Sequence, residues 1–160
     1  MADSNRFILN ANQIALLRNR QFYVNIHSEN FRSGELRGQI TPQSKAIFRA
    51  FVGGAQEVPP VLSPGQGQVI AEWELDSLFV SGSFEALGTP FNQNIGAHLH
   101  RGYAGRNGGV EVVLSPNLVT GDTAGIFVVA NNKFETSEEL EGLIAQRSLY
   151  VNINSVGIPS

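Results

Sequence analysis

The tetrapeptide YVNI occurs twice, at 23–26 and at 150–153, and the segments around it align without a gap at an offset of 127 residues. Residues 5–28, NRFILNANQIALLRNRQFYVNIHS, lie over residues 132–155, NKFETSEELEGLIAQRSLYVNINS, so Phe7 meets Phe134, Leu16 meets Leu143 and Tyr23 meets Tyr150. Self-similarity at a fixed period marks a repeated structural unit. The register carries Ser33 onto Ser160, so the chain reads as one 127-residue unit preceded by a 33-residue overlap with the unit before it. Any fold proposed for the chain must house that strand twice.

Between the copies run short apolar stretches separated by turn residues: AIFRAFV, QVIAEWEL, LFVSGSFEAL, AHLH, VEVVL and AGIFVVA. Their β-branched and aromatic content, with Gly, Pro, Asn and Ser as spacers, predicts an antiparallel sandwich or barrel. Charged residues make up only 16% of the chain, below the usual quarter, and 17 glycines supply turns, which suits β structure. Two helical pieces interrupt the strands. Over Ser137 to Gln146, Ser137 or Thr136 can cap the orphan amides, and Glu138, Glu139 and Glu141 favour the positive end of the helix dipole. Its counterpart, Asn12 to Arg18, has the aliphatics without the acids, and both pieces precede a YVNI strand.

The formal net charge of −3 offers no field to neutralise phosphates, which argues against a nucleic-acid partner and disfavours membrane surfaces. No window approaches 18 consecutive apolar residues, so membrane insertion is not expected. The absence of cysteine excludes disulfides and thiolate metal sites and leaves the compartment open. The opening MADSNRFILNANQ does not read as a secretory signal, so an extracellular setting would require a leader outside this sequence.

Three stretches stand in a distinctive order: YVNIHSENFRSGELRGQI at 23–40, GGAQEVPPV at 53–61 and GAHLHRGYAGRNGGVEVVL at 96–114. Together they resemble the chordin-type (CHRD) domain family, in the tandem-repeat form common among bacterial proteins. The resemblance implies an all-β, antiparallel Greek-key β-sandwich, immunoglobulin-like or superoxide-dismutase-like, here with one or two short helices. It also implies an extracellular or cell-surface protein.

In the family order the GELRG strand comes last, after YVNIH, whereas here it lies ahead of the full unit. The expected organisation is therefore residues 1–41 as the C-terminal part of a preceding repeat, supplying the closing strand 34–40, and residues 45–160 as a sandwich lacking its own last strand. The polar turn ITPQSK at 40–45, with Pro42, is the nearest candidate for a boundary. An unclosed sandwich exposes an unpaired edge that templates an added strand. Gly34, Glu35, Leu36, Arg37 and Gly38 form the donating segment, with Leu36 seeking the core. That segment can fold back as a circular permutant, insert into a neighbouring molecule, or remain a partly ordered piece of an array.

Alternation along a strand sends Ala97 and Leu99 to one face and His98 and His100 to the other. In YVNIH it sends Val24 and Ile26 inward and Tyr23, Asn25 and His27 outward. Three imidazoles without thiolate, His98, His100 and His27, suit zinc or copper, with a position left for Glu29 or Glu111. The competing reading is that His98 and His100 only hydrogen-bond and steady the following loop. The second copy has Asn154 where the first has His27, so the cluster is complete only where the leading copy supplies the strand. A dismutase-like fold does not carry dismutase activity. The whole sequence holds only three histidines and no cysteine for that family's disulfide.

The loop RGYAGRNGGV, with Gly102, Gly105, Asn107, Gly108 and Gly109, lacks the lysine and hydroxyl of a phosphate loop and reads as a tight connection into the VEVVL strand. Arg101 and Arg106 are expected to be solvated or paired with carboxylates. Glu57 beside the Pro59–Pro60 corner can accept amide bonds, Glu35 and Arg37 share a strand face, and TGDTAG at 120–125 is a turn without the ligands of a calcium loop. Trp73 and the phenylalanines read as core. No nucleophile with a positioned base is evident, so no enzyme is expected. The expected role is a structural or adhesive module that assembles by strand complementation, through self-association or neighbouring repeats, into head-to-tail oligomers or filaments. The alternative is a copper- or zinc-binding module, with growth-factor or carbohydrate binding at the edge loops behind it.

Overall fold

The computed structural model describes residues 7–41, 44–119 and 121–158, so Pro42 of the ITPQSK turn and Thr120 of TGDTAG lie outside the described residues. The chain divides into two compact units, Met1–Ser44 and Lys45–Ser160.

The larger unit is an antiparallel β-sandwich. One sheet has the order β3 (Ala46–Gly53), β4 (Gln66–Glu74), β5 (Ser77–Glu85), β9 (Gly125–Phe127), β8 (Pro116–Leu118), with β10 (Lys133–Glu135) also on β5. The second sheet has the order β11 (Leu149–Ile153), β6 (Ala97–Arg101), β7 (Val110–Leu114). Strand alternation explains what lies between them. Val69, Leu78, Val80, Phe84 and Phe127 face inward from the first sheet, and Ala97, Leu99, Val112 and Leu114 from the second. Burying a large apolar side chain of this kind contributes on the order of 1.5–3 kcal/mol, so these strands are held chiefly by their inner faces.

Helix α2 (Glu138–Ala145) adds Leu140 and Ile144 to the same core, and its N-cap is Ser137, whose hydroxyl accepts from the Leu140 amide. Trp73 packs against the core only partly buried, and among the phenylalanines Phe51 and Phe31 are exposed, which corrects the expectation that they are all core. Strands β8 and β10 carry no legible sequence signal, being three residues each, one opening on proline and one flanked by charges.

Two local devices tie the first sheet together. Asn132, fully buried, donates to the Ser115 and Val128 carbonyls, accepts from the Ser115 amide, and offers its own carbonyl to the Val80 amide. Strand β5 changes partner along one edge, pairing with β10 at Ser77–Phe79 and with β9 at Gly82–Phe84. At that switch Gly82 has φ +146, and a Cβ there would run into the Gln68 carbonyl oxygen and the Val69 Cα of β4.

The smaller unit holds α1 (Ala11–Arg18) and an antiparallel pair, β1 (Tyr23–Ile26) with β2 (Leu36–Gln39). It repeats the end of the larger unit bond for bond. The Asn19, Arg20 and Gln21 amides donate to the Ala15, Leu17 and Leu16 carbonyls, and at the same offset Gln146, Arg147 and Ser148 donate to Gly142, Ile144 and Leu143. Arg20 and Arg147 both adopt positive φ, +57 and +55. Asn10 caps α1 in a capping box with Gln13, where Ser137 caps α2.

The copies differ in burial. Val24, Ile26 and Leu36, expected to turn toward a core, are 51%, 53% and 62% exposed. Among the described residues of the smaller unit no hydrophobic side chain is buried. The alternation is as expected, since Val24, Ile26, Leu36 and Gly38 share one face of the hairpin. Among the described residues of this unit, none forms a second layer against that face.

Asn132→Ala takes the side-chain partner from three backbone groups and leaves a cavity at a fully buried position, and is expected to destabilise the protein by about 2–4 kcal/mol, measured by urea unfolding of the full chain. Gly82→Ala is expected to lower the thermal midpoint by several degrees, whereas Gly38→Ala, with open space at its Cβ, leaves it unchanged.

Candidate functional site

Strand β6 is the centre of the second sheet, and its outward residues are His98 and His100. The ladder with β11 sets Tyr150 opposite His100 and Asn152 opposite His98. Directly opposed residues share a face, so the outer face of this sheet gathers His98, His100, Tyr150 and Asn152, while Leu99, Val151 and Ile153 pack inward. Although they point away from the core, both histidines are only 9% exposed.

The glycine loop closes on His100, and the corner after β3 is fastened to that loop. The His100 Nδ1–H donates to the Gly108 carbonyl at 2.9 Å, and the Gly108 amide donates to the Tyr150 hydroxyl at 3.2 Å. The Tyr150 ring stacks on the His100 ring, centres 5.1 Å apart at 16°. Gly108 thus uses both backbone groups on the site, and a Cβ would collide with the Arg101 carbonyl. Asn107 Nδ2 donates to the Val58 carbonyl at 2.8 Å, which fastens the AQEVPP corner to the glycine loop. That corner contains the cis peptide Val58–Pro59 and closes through the Val61 amide on the Gly54 carbonyl. Pro59 and Pro60 are exposed on its rim.

The His98 and His100 rings meet edge to face, centres 5.4 Å apart at 78°. His98 Nδ1 and His100 Nε2 are both buried and have no hydrogen-bond partner. Burial, and then the charge of His100, holds His98 below the ordinary imidazole value. Burial raises the Glu57 carboxyl, and the nearby His100 opposes that shift. Beside the pair, Asn154 donates its side-chain amide to the Gly96 carbonyl at 2.9 Å and is almost wholly buried.

The remaining expected residues fall elsewhere. In the smaller unit His27 directs Nδ1 at the Arg32 carbonyl, 2.8 Å away. Glu29 is exposed there too. Gly34, at φ +123, starts the return of the hairpin beside the Asn25 side chain, Glu35 donates its amide to Ile26, and Arg37 lies 3.7 Å from the centre of the Tyr23 ring. Glu111, considered as a ligand, is held instead by Arg101, which also reaches Glu139 at 2.7 Å. Gly102 donates its amide to the Ser148 carbonyl, and Gly105 turns the loop at φ +79. Arg106 is exposed. Among the described residues no group of three His, Cys, Asp or Glu side chains converges as a metal cage.

Sequence reasoning weighed Asn154 only as the counterpart of His27, and it missed Tyr150 and Asn152 as part of the site. Their signal was available: in YVNIN the outward positions are Tyr, Asn and Asn, polar residues on the face where only histidines had been sought.

A family model described as the CHRD domain matches residues 2–40 and 48–160. No curated protein and no solved structure matches the chain. Among the described residues no helix is long and apolar enough to cross a membrane. Because the match runs through both units and spans nearly the whole sequence, the chain belongs to the CHRD domain family.

Proposed function

We propose that this protein is a structural module that assembles by strand complementation, the GELRGQI strand of one copy pairing with the outer edge of β11 in the next to give head-to-tail oligomers. The setting that suits such a module is an extracellular or cell-surface protein of tandem repeats.

One observation carries this reading. Backbone groups of successive strand residues point to opposite edges. On β11 the even residues face β6, since Ser148 O accepts from the Gly102 amide and the Asn154 amide donates to Gly96. Leu149, Val151 and Ile153 therefore direct their backbone groups to the opposite edge, where β11 is the terminal strand of its sheet. On β1 the residues facing β2 are Phe22, which accepts from the Ile40 amide, and Ile26, which accepts from the Glu35 amide. Their counterparts at the offset of the repeat are Leu149 and Ile153. A β2 strand thus belongs on the edge of YVNI that β6 does not use.

The energetics favour exchange. A β2 strand that leaves β1 for β11 trades one YVNI ladder for another, so the backbone bonds nearly cancel. In the new place Leu36 lies opposite Ile153, and Gly38 opposite Val151, both of which pack on the core. Leu36 goes from 62% exposed to apolar contact, a gain on the order of 1–2 kcal/mol per strand. A hairpin without a covered face is marginal by itself, which supplies a further drive.

The chain has no cysteine, so single cysteines report cleanly. The directly opposed pair 38 and 151 would have Cα atoms about 5.5 Å apart, within disulfide range. Mixing the Gly38→Cys protein with the Val151→Cys protein is expected to give a disulfide-linked heterodimer, and light scattering of the unmodified chain a mass that rises with concentration. Leu36→Asp is expected to abolish that rise without unfolding the chain. A bond that forms only within the double variant would make the complementation intramolecular and remove head-to-tail assembly. A monomer at every concentration with no bond in either arrangement would remove the reading altogether.

A further inference from the structure

Within the larger unit, and independently of assembly, the outer face of β6 holds two buried imidazole nitrogens with nothing to bind. A buried polar atom without a partner is costly to keep, so a fold that carries two on adjacent outward positions of one strand has a use for them or a guest to bind. We propose that His98 and His100 form a binding site for a single imidazole-preferring transition-metal cation, copper(II) binding more tightly than zinc(II).

Three features of the geometry support the site. First, the ring centres are 5.4 Å apart, and two imidazoles sharing one ion at about 2.0–2.1 Å in a near-tetrahedral arrangement have centres separated by roughly 5 Å. Second, His100 already has the outer-shell partner that metal-bound histidines use. Its Nδ1–H donates to the Gly108 carbonyl, which fixes the tautomer and leaves Nε2 as a lone pair. Third, the ring is held in place by the Tyr150 stack, and Tyr150 is in turn held by the Gly108 amide, so the donor is positioned before any ion arrives.

The donor set decides the class of guest. Nitrogen donors without thiolate suit zinc and copper, and affinity rises from zinc to copper at a given nitrogen site. Magnesium and calcium, which require several oxygens, find no such shell here. The sequence had offered His27 as the third ligand, yet its position in this unit is filled by Asn154, already committed to Gly96. With two protein nitrogens and no third His, Cys, Asp or Glu converging on them among the described residues, the remaining coordination positions stay open to water or an external ligand.

Titration of the metal-free full chain with copper(II) and with zinc(II), followed by calorimetry, tests this. One equivalent of each is expected to bind, copper at least about tenfold more tightly in line with the general metal order, and neither magnesium nor calcium to bind. His100→Ala and His98→Ala each abolish the one-equivalent event, and His27→Ala leaves it intact. Should a histidine variant unfold, histidine-ring NMR of the unmodified chain with zinc decides the matter. Shifts at His98 and His100 with His27 silent support the site. No saturable binding of either metal, or shifts confined to His27, overturn it. Loss of complementation leaves these readouts untouched, because every residue involved lies in the larger unit.

Discussion

The ladder between β6 and β11 is the interaction on which the rest depends. Its register, Tyr150 on His100 and Asn152 on His98, does three things at once. It turns Val151 and Ile153 onto the core, and it assembles the polar outer face around the histidine pair. By spending the backbone groups of even residues on β6, it also commits those of odd residues to the outer edge. A slip of one residue would exchange the two faces and bury asparagines in place of valine and isoleucine. The core-facing side chains therefore fix the register, and the register fixes both the site and the direction in which the sheet can grow.

The two copies of the repeat separate local from tertiary determinants with unusual clarity. Helix, turn and strand recur with the same hydrogen bonds and the same positive φ at Arg20 and Arg147, so this local structure follows from about twenty residues of sequence in either setting. Burial does not recur. Leu140 and Ile144 of α2 are covered by the sandwich, whereas α1 buries none of its residues. The same YVNI is half-buried in one copy and largely exposed in the other. Hydrogen bonding within a segment travels with the segment, and a hydrophobic environment does not.

The outer face of β6 shows how a site of modest chemistry is built from distant pieces. The histidines lie on one strand, Tyr150 comes from the next, Gly108 and Asn107 from the loop after β6, and Glu57 from the corner after β3. The stretches AQEVPP, AHLHRG and RNGG look like separate motifs in the sequence. In the fold they are one cluster, joined by Asn107 to Val58 and by Gly108 to both His100 and Tyr150.

Sequence alone determined most of the elements: alternating apolar runs between turn residues specify the longer antiparallel strands, the Ser137 cap and acidic first turn specify α2, and the 127-residue offset specifies a repeated strand, whereas the three-residue strands β8 and β10 are set by their partners. It also determined which faces of β6 and β1 are polar, because strand periodicity is a local rule. Tertiary structure decided whether those faces are covered. That His98 and His100 are buried rather than open depends on a neighbouring strand and the glycine loop packing on them, whereas Val24, Ile26 and Leu36 find no buried environment within the described residues of their own unit. Periodicity tells a side chain which way to point, and only the packing of residues far apart in the chain decides what it meets there.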